Sequence, residues 1–266
     1  MTRSPTTSCL TFHRRGAERP PLQALRHRAD RLCRFGMLVA RRQQMLQDIC
    51  SQIQAAGGKA DYYAANLSEE KEREHLFHQV ITEHGQVDIL VNNAGLGWYG
   101  YGSAMPWKVA LEMLQVNINA AVHFTLLALS QMRLRNQGHI INIGSIVGSL
   151  PSQGVALYGA TKSFLDHFTT ALFRELRYTR VHVSIVRAGP VRTEFCQTAA
   201  KRTGGLHLPT ERMGISAYDV AKSLWRLLQH PRRVVYIPSH LAMTPWLEHY
   251  FGWLIDMLGP LLLKKA

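Results

Sequence analysis

The sequence predicts a single α/β domain built on a parallel sheet, and three observations support this. The 266 residues are 46% hydrophobic and 18% charged, which suits one sizeable core rather than several small ones. Runs rich in apolar residues over 87–91, 138–144 and 181–186 are typical of buried strands in a parallel sheet. Segments with helical periodicity separate these runs, and an alternation of strands with helices favours a parallel sheet.

The other predicted elements continue the same alternation. Three more strands are expected, over 36–40, 60–65 and 233–238, the last at an edge of the sheet. Three helices are expected, over 43–57, from about 68 to 81, and over 218–228. The first of these helices ends at Gly57 and Gly58, a plausible stop signal, and the second is so highly charged that it should face solvent.

Two residues four apart, Tyr158 and Lys162, are candidates for acid–base chemistry. On a helix this spacing puts them on one face, with Cβ atoms roughly 5–6 Å apart. A free tyrosine has a pKa near about 10 and exchanges protons poorly at neutral pH. Because an adjacent ammonium group favours the phenolate, the pair predicts a lowered pKa for Tyr158 and a phenol that serves as a general acid or base.

Further polar positions precede this pair. Ser145 follows the apolar run over 138–144, at the end of a strand where open α/β sheets bind ligands. The segment Asn-Asn-Ala-Gly at 92–95 follows the run over 87–91 in the same way, and Asn117 lies in a helical segment between the two strands. Each feature is common by itself, but their order and spacing are specific.

Taken together, the strand with Asn-Asn-Ala-Gly, the helical asparagine, the strand with serine and the Tyr-x-x-x-Lys helix resemble the short-chain dehydrogenase/reductase family. The resemblance runs from about residue 37 to about residue 238. It implies a Rossmann-like, doubly wound parallel sheet in a single domain. It also implies an NAD(P)-dependent oxidoreductase that interconverts a carbonyl and a hydroxyl group.

The resemblance implies a role for each of the four residues. Tyr158 would donate a proton to a carbonyl oxygen or remove one from an alcohol. Lys162 would bind the nicotinamide ribose hydroxyls and, together with the positive charge of the oxidised cofactor, lower the tyrosine pKa. Ser145 would hydrogen-bond the substrate oxygen. Asn117 would distort its helix and hold a water that relays protons to the lysine. The hydride transfer itself would belong to the cofactor.

The resemblance also places the cofactor. Arg41 and Arg42, after the second strand, resemble the basic residues that pair with the 2′-phosphate of NADP(H), because a guanidinium binds phosphate through a bidentate fork. We therefore expect NADP(H) rather than NAD(H). The other positions that match cofactor-contacting loops of the family are Asn66, Leu67, Asn93, Ala94, Gly95, Gly189, Val191 and Thr193.

The N-terminal segment departs from the family pattern. A glycine-rich turn that cradles the pyrophosphate should fall at about residues 15–22, but its later glycines are absent. Pro20 and Pro21 remove two backbone donors, and Glu18 would put a negative charge near the phosphates. Three explanations compete: an Arg-rich organellar leader, a divergent and inactive member, and a reading-frame shift upstream of about Gly36. We favour the frame shift, because the family pattern resumes abruptly at Met37.

The net charge and the cysteine spacing limit which partners and which cellular compartment the sequence predicts. The formal net charge is +13, but residues 1–42, with ten arginines and two acids, carry +8 of it, so nucleic acid is not an expected partner. The four cysteines have neither metal-like nor paired spacing, which predicts reduced thiols in the cytoplasm and no metal site. No run of eighteen uncharged apolar residues predicts a membrane span.

Three segments bear on the substrate. The aromatic residues Trp98, Tyr99 and Tyr101 alternate with glycines, and either line an apolar entrance or form a packed loop. Residues 194–213 should form a mobile lid. Apolar residues at helical spacing between Trp246 and Leu261 predict a tail helix. This helix either packs over the substrate pocket or a partner subunit, or lies on a membrane surface.

The sequence thus predicts an NADP(H)-dependent oxidoreductase for a lipophilic ketosteroid-, retinoid- or ketoacyl-like compound. The chain would comprise a divergent or out-of-frame segment (1–36), the Rossmann-like domain (37–240) and an apolar helical tail (241–266). A homo-oligomer is expected by analogy alone, in the cytoplasm or peripheral to a membrane. The alternative is a non-catalytic or cofactor-defective relative that binds no nucleotide because of its N-terminal segment.

Overall fold

The computed structural model describes residues 10–14, 35–206 and 214–262, which form one sheet with helices packed on it. The strands are β1 Leu10–Arg14, β2 Phe35–Ala40, β3 Ala60–Ala64, β4 Ile89–Asn92, β5 Gly138–Ser145, β6 Val181–Ala188 and β7 Val234–Ile237. Their order across the sheet is β3-β2-β1-β4-β5-β6-β7. This is the predicted α/β fold, with the strand order reversing direction between its two halves.

Eight α-helices lie within the described ranges. They are α1 Gln43–Ala55, α2 Glu70–His84, α3 Trp107–Leu114, α4 Ala121–Leu134, α5 Ala156–Glu175, α6 Glu194–Lys201, α7 Ala217–Gln229 and α8 Thr244–Leu262. Every strand and helix that the sequence predicts there is found, with ends that differ by a few residues at most. The tail is helical as predicted, with a kink at Phe251.

The first strand differs from the prediction of a fully parallel sheet, because β1 runs antiparallel to both of its neighbours. Leu10 pairs with Asn92 at the end of β4, whereas Arg14 pairs with Phe35 at the start of β2. The strand therefore ends at the opposite edge of the sheet from Ser145. A parallel β1 would need a crossover that begins with the glycine-rich turn. Residues 15–22, where that turn was sought, lie outside the described residues.

The central strands are mostly apolar because helices cover both faces of the sheet. On one face, Met37, Leu90 and Ile140 pack against buried side chains of α2, α4 and α5. On the other face, Ile141 and Val186 belong to a cluster with side chains of α7. The sheet is thus rigidly held from both sides, and it can position side chains at the strand ends.

A buried polar ladder connects β4 and β5 to the helices behind them. Asn92 Nδ2 donates to Asn142 Oδ1 (2.8 Å) and to Thr125 Oγ1 (2.9 Å). Asn142 Nδ2 in turn donates to Thr169 Oγ1 on α5 at 2.8 Å. Because buried polar groups are strongly destabilising when unpaired, this ladder fixes the position of α5 against β5.

The continuous helical run Trp107–Leu134 is long and apolar enough to span a membrane by length and composition, which the sequence analysis did not predict. Its inner side carries Phe124, Ala128 and Met132, all fully buried in the core against the sheet. We therefore assign this run to the core of the domain.

Candidate functional site

The candidate site lies at the edge of the sheet where the parallel strands end. Arg41 follows β2, Asn66 follows β3, Asn93 follows β4, Ser145 ends β5 and Gly189 follows β6. Parallel strands end at one edge, so the sequence-predicted residues are gathered on one side of the molecule. The structure brings the four predicted catalytic residues together there. Tyr158 and Lys162 lie on α5, Ser145 ends β5, and Asn117 lies in the helical run between α3 and α4.

Two glycines allow a tight approach between the end of β5 and α5. The short 3₁₀ turn Ile146–Gly148 follows Ser145, and the backbone N–H of Val147 donates to Ser145 Oγ at 3.4 Å. A Cβ on Gly148 would lie 2.9 Å from the carbonyl carbon of Lys162, and a Cβ on Gly159 would lie 3.1 Å from the oxygen of Val147. This close packing holds Ser145 beside Tyr158.

The environment of Tyr158 contradicts the predicted direction of its pKa shift. Burial raises the pKa of Tyr158 above its usual value, and a hydrogen bond with Ser145 lowers it by less. The Lys162 amine lies 5.8 Å from the centroid of the tyrosine ring, and it donates to the backbone oxygen of Ile143 instead. Desolvation is therefore the largest influence on the pKa of Tyr158, and it favours the neutral phenol.

Lys162 is buried, with only 5% of its surface exposed. Its Nζ donates to the Ile143 oxygen at 2.7 Å, which ties α5 to β5. Burial lowers the pKa of Lys162 to about 8, and the charge of Asp166 acts in the opposite direction. The amine can thus lose its proton within the range of ordinary assay pH.

Asn117 lies in a π-helical segment, Gln115–Ala120, between α3 and α4. The backbone distortion that the family resemblance implied at this residue is therefore present. The fully buried amide pairs with both backbone groups of Leu96, accepting from its N–H at 2.7 Å and donating to its oxygen at 2.9 Å. It also donates to Thr161 Oγ1 at 3.0 Å. Asn117 thus joins the loop after β4 to α5.

We expect Asn117→Ala to lower the free energy of unfolding by about 2–4 kcal/mol, because it leaves both backbone groups of Leu96 buried without partners. Urea unfolding followed by circular dichroism measures the change. The matched control is Asn119→Ala in the same π-helical segment, whose exposed amide donates only to Gln115 among the described contacts. Equal stabilities for the two variants would contradict a locking role for Asn117.

The two arginines predicted to bind the 2′-phosphate stand at the expected edge, but carboxylates already face them. Arg41 Nη1 lies 3.0 Å from Glu112 Oε1 on α3, and Glu112 also binds Arg202 at 3.1 Å. The negative charge of Glu194, at the start of α6, acts on Arg42. A phosphate at this position would have to compete with these carboxylates.

The remaining predicted cofactor positions line the same edge. Asn66 Oδ1 accepts from the Ser68 hydroxyl at 2.8 Å, and Leu67 is buried. Asn93 is exposed, and Ala94 is half-buried after it. After β6, the backbone N–H of Gly189 donates to Ile237, Val191 forms an isolated bridge with Ile215, and Thr193 caps α6.

Gly95 is the one of these positions that lies directly against the catalytic group. A Cβ on Gly95 would lie 3.5 Å from Asn117 Oδ1 and 3.6 Å from Lys162 Nζ. The backbone of the loop after β4 therefore runs past the lysine amine. Gly95 thus lies against both Asn117 and Lys162, two of the predicted catalytic residues.

Aromatic side chains close the site above Tyr158. The ring of Phe195 on α6 lies 5.6 Å from the Tyr158 ring, and it fits there because Gly97 has no side chain. Trp98 and Tyr99 are almost completely buried, and the Tyr99 hydroxyl donates to Cys196 Sγ at 3.5 Å. Of the two interpretations of the aromatic stretch, a packed loop holds for Trp98 and Tyr99, while Tyr101 is half-exposed.

The loop 97–104 and the lid are joined by backbone contacts. Trp98 Nε1 donates to the oxygen of Thr203 at 3.1 Å, and the N–H of Leu206 donates to the oxygen of Tyr99 at 2.7 Å. Residues 207–213 of the predicted lid lie outside the described residues. The part that is described covers the tyrosine with apolar side chains.

Sequence reasoning missed four residues of this site. Thr161 bridges Asn117 and the Tyr158 oxygen, and Asp166 pairs with Arg187 below Lys162. Asp166 could have been found, since it lies eight residues after Tyr158 on the same face of α5. Phe195 carried no local signal, because only the tertiary fold brings α6 over the tyrosine.

The residues fit the two ends of a dinucleotide but not its middle. Lys162, Gly95 and Gly189 could hold the nicotinamide and its ribose, and Arg41 and Arg42 supply cations for a 2′-phosphate. The pyrophosphate between them requires a turn at the carboxyl end of the first strand, and β1 ends at the other edge of the sheet. The pyrophosphate cradle is thus not formed by the described residues.

Comparisons with known proteins agree with this fold. The family model described as short chain dehydrogenase matches residues 27–204. The NADP-dependent 3-hydroxy acid dehydrogenase YdfG of Shigella flexneri is 33% identical over 221 residues, covering 80% of this chain and 85% of that protein. Carbonyl reductase family member 4 of Xenopus laevis is 29% identical over 181 residues, covering 68% and 75% respectively.

A solved structure extends the likeness to three dimensions. The closed form of serine dehydrogenase complexed with NADP+ matches with a TM-score of 0.65 at 28% identity, over 75% of this chain and 83% of the other. Family model, sequence relative and solved structure therefore agree on the family and on the fold. The chain belongs to the short-chain dehydrogenase/reductase family of oxidoreductases.

Proposed function

We propose that the protein interconverts a carbonyl and a hydroxyl group on a lipophilic small molecule with NADP(H) as cofactor. The observation that carries this proposal is the convergence of Tyr158, Lys162, Ser145 and Asn117 at the carboxyl edge of the sheet. The names of the relatives, an NADP-dependent 3-hydroxy acid dehydrogenase and a carbonyl reductase, support the same chemistry and cofactor.

In this mechanism the chain's own residues bind the reacting oxygen and move its proton. Ser145 Oγ hydrogen-bonds the substrate oxygen, and the Tyr158 hydroxyl donates its proton to that oxygen during reduction. The raised pKa of Tyr158 keeps the phenol protonated, which suits the donor role. Lys162 supplies positive charge beside the tyrosine, and Asn117 connects the lysine to solvent through a water. The hydride is the contribution of NADPH.

An apolar surface beside the tyrosine supports a lipophilic substrate. Tyr99, Val155 and Ala199 form a buried cluster against which Val147 and Cys196 pack, next to the site. A ketosteroid-, retinoid- or ketoacyl-like compound would place its carbonyl at Tyr158, with these apolar side chains close to its body. In this proposal the catalytic domain covers 37–240 and works in the cytoplasm as a homo-oligomer.

The tail 241–266 has a separate place in the proposal. Helix α8 exposes Trp246, Tyr250, Trp253 and Met257, an apolar face of the kind found at partner or membrane surfaces. The side chain of Gln153 reaches the backbone oxygen of Asp256 at 3.5 Å, so α8 lies near the loop that precedes the catalytic helix. In this proposal the tail packs over the site or on a partner subunit, or it lies on a membrane surface. Each of these arrangements favours an apolar substrate.

A second candidate function is a cofactor-defective relative, and the antiparallel β1 favours it. The turn that should cradle the pyrophosphate cannot start from Arg14 at the cofactor edge, because that residue pairs with the start of β2. Such a chain would keep the candidate catalytic residues and the apolar side chains beside Tyr158, but it would bind no nucleotide. The two candidates differ in one measurable property, which is nucleotide binding.

Thermal unfolding of the purified chain with increasing NADPH tests the proposal. Binding stabilises the folded state by mass action, by about 2.7 kcal/mol at 100 times the Kd. We expect a concentration-dependent rise in Tm with NADPH, and reduction of lipophilic ketones measured by loss of NADPH absorbance. A folded chain whose Tm does not respond to NADPH would instead establish the cofactor-defective candidate.

Replacing both arginines, as Arg41→Ser with Arg42→Ser, should weaken NADPH binding by roughly 10–100-fold and leave NADH binding nearly unchanged, because only NADPH carries the 2′-phosphate. The readout is the Kd from intrinsic fluorescence. Arg232→Ser, an exposed position before β7, serves as the matched control. An equal loss for both nucleotides would contradict the assignment of these arginines to the 2′-phosphate.

A further inference from the structure

A buried carboxylate lies beneath the catalytic pair and has no role in the mechanism above. Asp166, on α5, is only 3% exposed. Its Oδ1 accepts a hydrogen bond from Arg187 Nε on β6 at 3.0 Å. Arg187 also donates through Nη1 to the hydroxyl of Tyr236 on β7. One carboxylate is thus held in place by two neighbouring strands.

The same carboxylate faces the catalytic lysine. Asp166 follows Lys162 by four residues on α5, a spacing that puts their Cβ atoms roughly 5–6 Å apart on one helix face. The charged and titratable groups that act on Asp166 are Arg187 from β6, His167 on its own helix, and Lys162. Tyr236 reaches it through Arg187. Asp166 therefore interacts with two cations, the buried Lys162 and the partly buried Arg187.

We propose that Asp166, fixed by Arg187, is a positioning residue that holds the positive charge on the Lys162 amine near Tyr158. This inference rests on the proposed function, because it gives the Asp166–Arg187 pair its purpose within the same catalytic site. Asp166 does not touch the reacting atoms, and it acts only through the charge of Lys162.

When the carboxylate is removed, one of the two cations is expected to lose its proton more readily. Without Asp166, Lys162 and Arg187 would share a buried region with no counter-charge between them. A guanidinium does not lose its proton in proteins, whereas a buried lysine readily does. Lys162 would then become neutral at a lower pH. Removal of Arg187 has the opposite effect, because the carboxylate then serves Lys162 alone.

The test follows the titration of Lys162 directly, by NMR of the full chain carrying ¹³Cε-labelled lysine. The chain has eight lysines, so the signals are few, and Lys162→Met identifies the signal of interest. We expect Asp166→Asn to lower the pKa of Lys162 by roughly one pH unit or more, and Arg187→Met to raise it. A purely structural pair would not produce shifts of opposite sign.

Two outcomes overturn the proposal: an unchanged Lys162 titration in both variants, or shifts of the same sign. If Asp166→Asn does not fold, the carboxylate is removed in the Arg187→Met background instead. The double variant must then titrate Lys162 at a lower pH than Arg187→Met alone. A double variant that titrates at the same pH as Arg187→Met overturns the proposal as well.

This titration needs neither cofactor nor substrate, so its failure is distinguishable from failure of the proposed function. A chain that binds no NADPH but shows opposite shifts keeps the Asp166 assignment and loses the oxidoreductase activity. If the chain is active, the alkaline limb of its pH–rate profile for carbonyl reduction should move to lower pH in Asp166→Asn. Conservative replacement by Asp166→Glu should restore part of that limb.

Discussion

Replacement of Tyr158 by phenylalanine is expected to reduce the turnover of carbonyl reduction by roughly 10²–10⁴-fold, the usual contribution of a positioned general acid. The variant removes only the phenolic oxygen. The ring that packs 5.6 Å from Phe195 remains, and so does the backbone oxygen of Tyr158 that accepts from Thr161. The fold and the rise of Tm with NADPH should therefore be kept.

The measurement is single-turnover reduction of a lipophilic ketone by the purified variant with NADPH. Tyr178→Phe provides the matched control, because Tyr178 is 92% exposed and lies beyond the end of α5. The control should react at the rate of the unaltered chain. If Tyr158→Phe reacts as fast as the control, the proton comes from another group and the assignment of Tyr158 is wrong.

Local sequence patterns predicted the fold well because most of the strands and helices have a recognisable pattern within a few residues. The buried strand β4 is a continuous apolar run, and the stop of α1 is a glycine pair. The direction of β1 could not be predicted in this way. It depends on pairing with β2 and β4, at long sequence separation, and the apolar content of Leu10–Arg14 is compatible with either direction.

The candidate catalytic residues could be selected from the sequence because their order along the chain is itself the signal, and their roles remain a prediction. The electrostatics around them were not predictable. The predicted lowering of the Tyr158 pKa failed because burial, a property of the whole fold, outweighs a lysine that points to Ile143. Arg41 likewise stands where it was expected, but its partner Glu112 comes from α3, 71 residues away in sequence.

Burial of the Lys162 charge destabilises the fold, although the proposed mechanism requires that charge. Its folded-state pKa, about 8, lies below the value of 10.5 expected for an unburied lysine. Between these two values the unfolded chain binds a proton that the folded chain does not, so the free energy of unfolding rises with pH through that window. Below pH 8 both states are protonated, and the fold carries the full cost of burying the charge, about 3 kcal/mol.

Lys162→Met should therefore stabilise the fold at pH 7 by about 2 kcal/mol, after loss of the hydrogen bond to Ile143 is allowed for, while turnover falls steeply. The gain should shrink as the pH rises towards 10, since the unaltered chain then becomes more stable by itself. Urea unfolding at several pH values measures both trends, with Lys222→Met on the exposed face of α7 as the control. A variant that is less stable than the unaltered chain at pH 7, with no pH-dependent difference, would show that the Lys162 amine is not desolvated. Burial thus destabilises the fold at Lys162, and it also makes the charge of the lysine sensitive to Asp166. We therefore expect the Lys162→Met variant to be more stable and inactive, because the residue serves the reaction and not the fold.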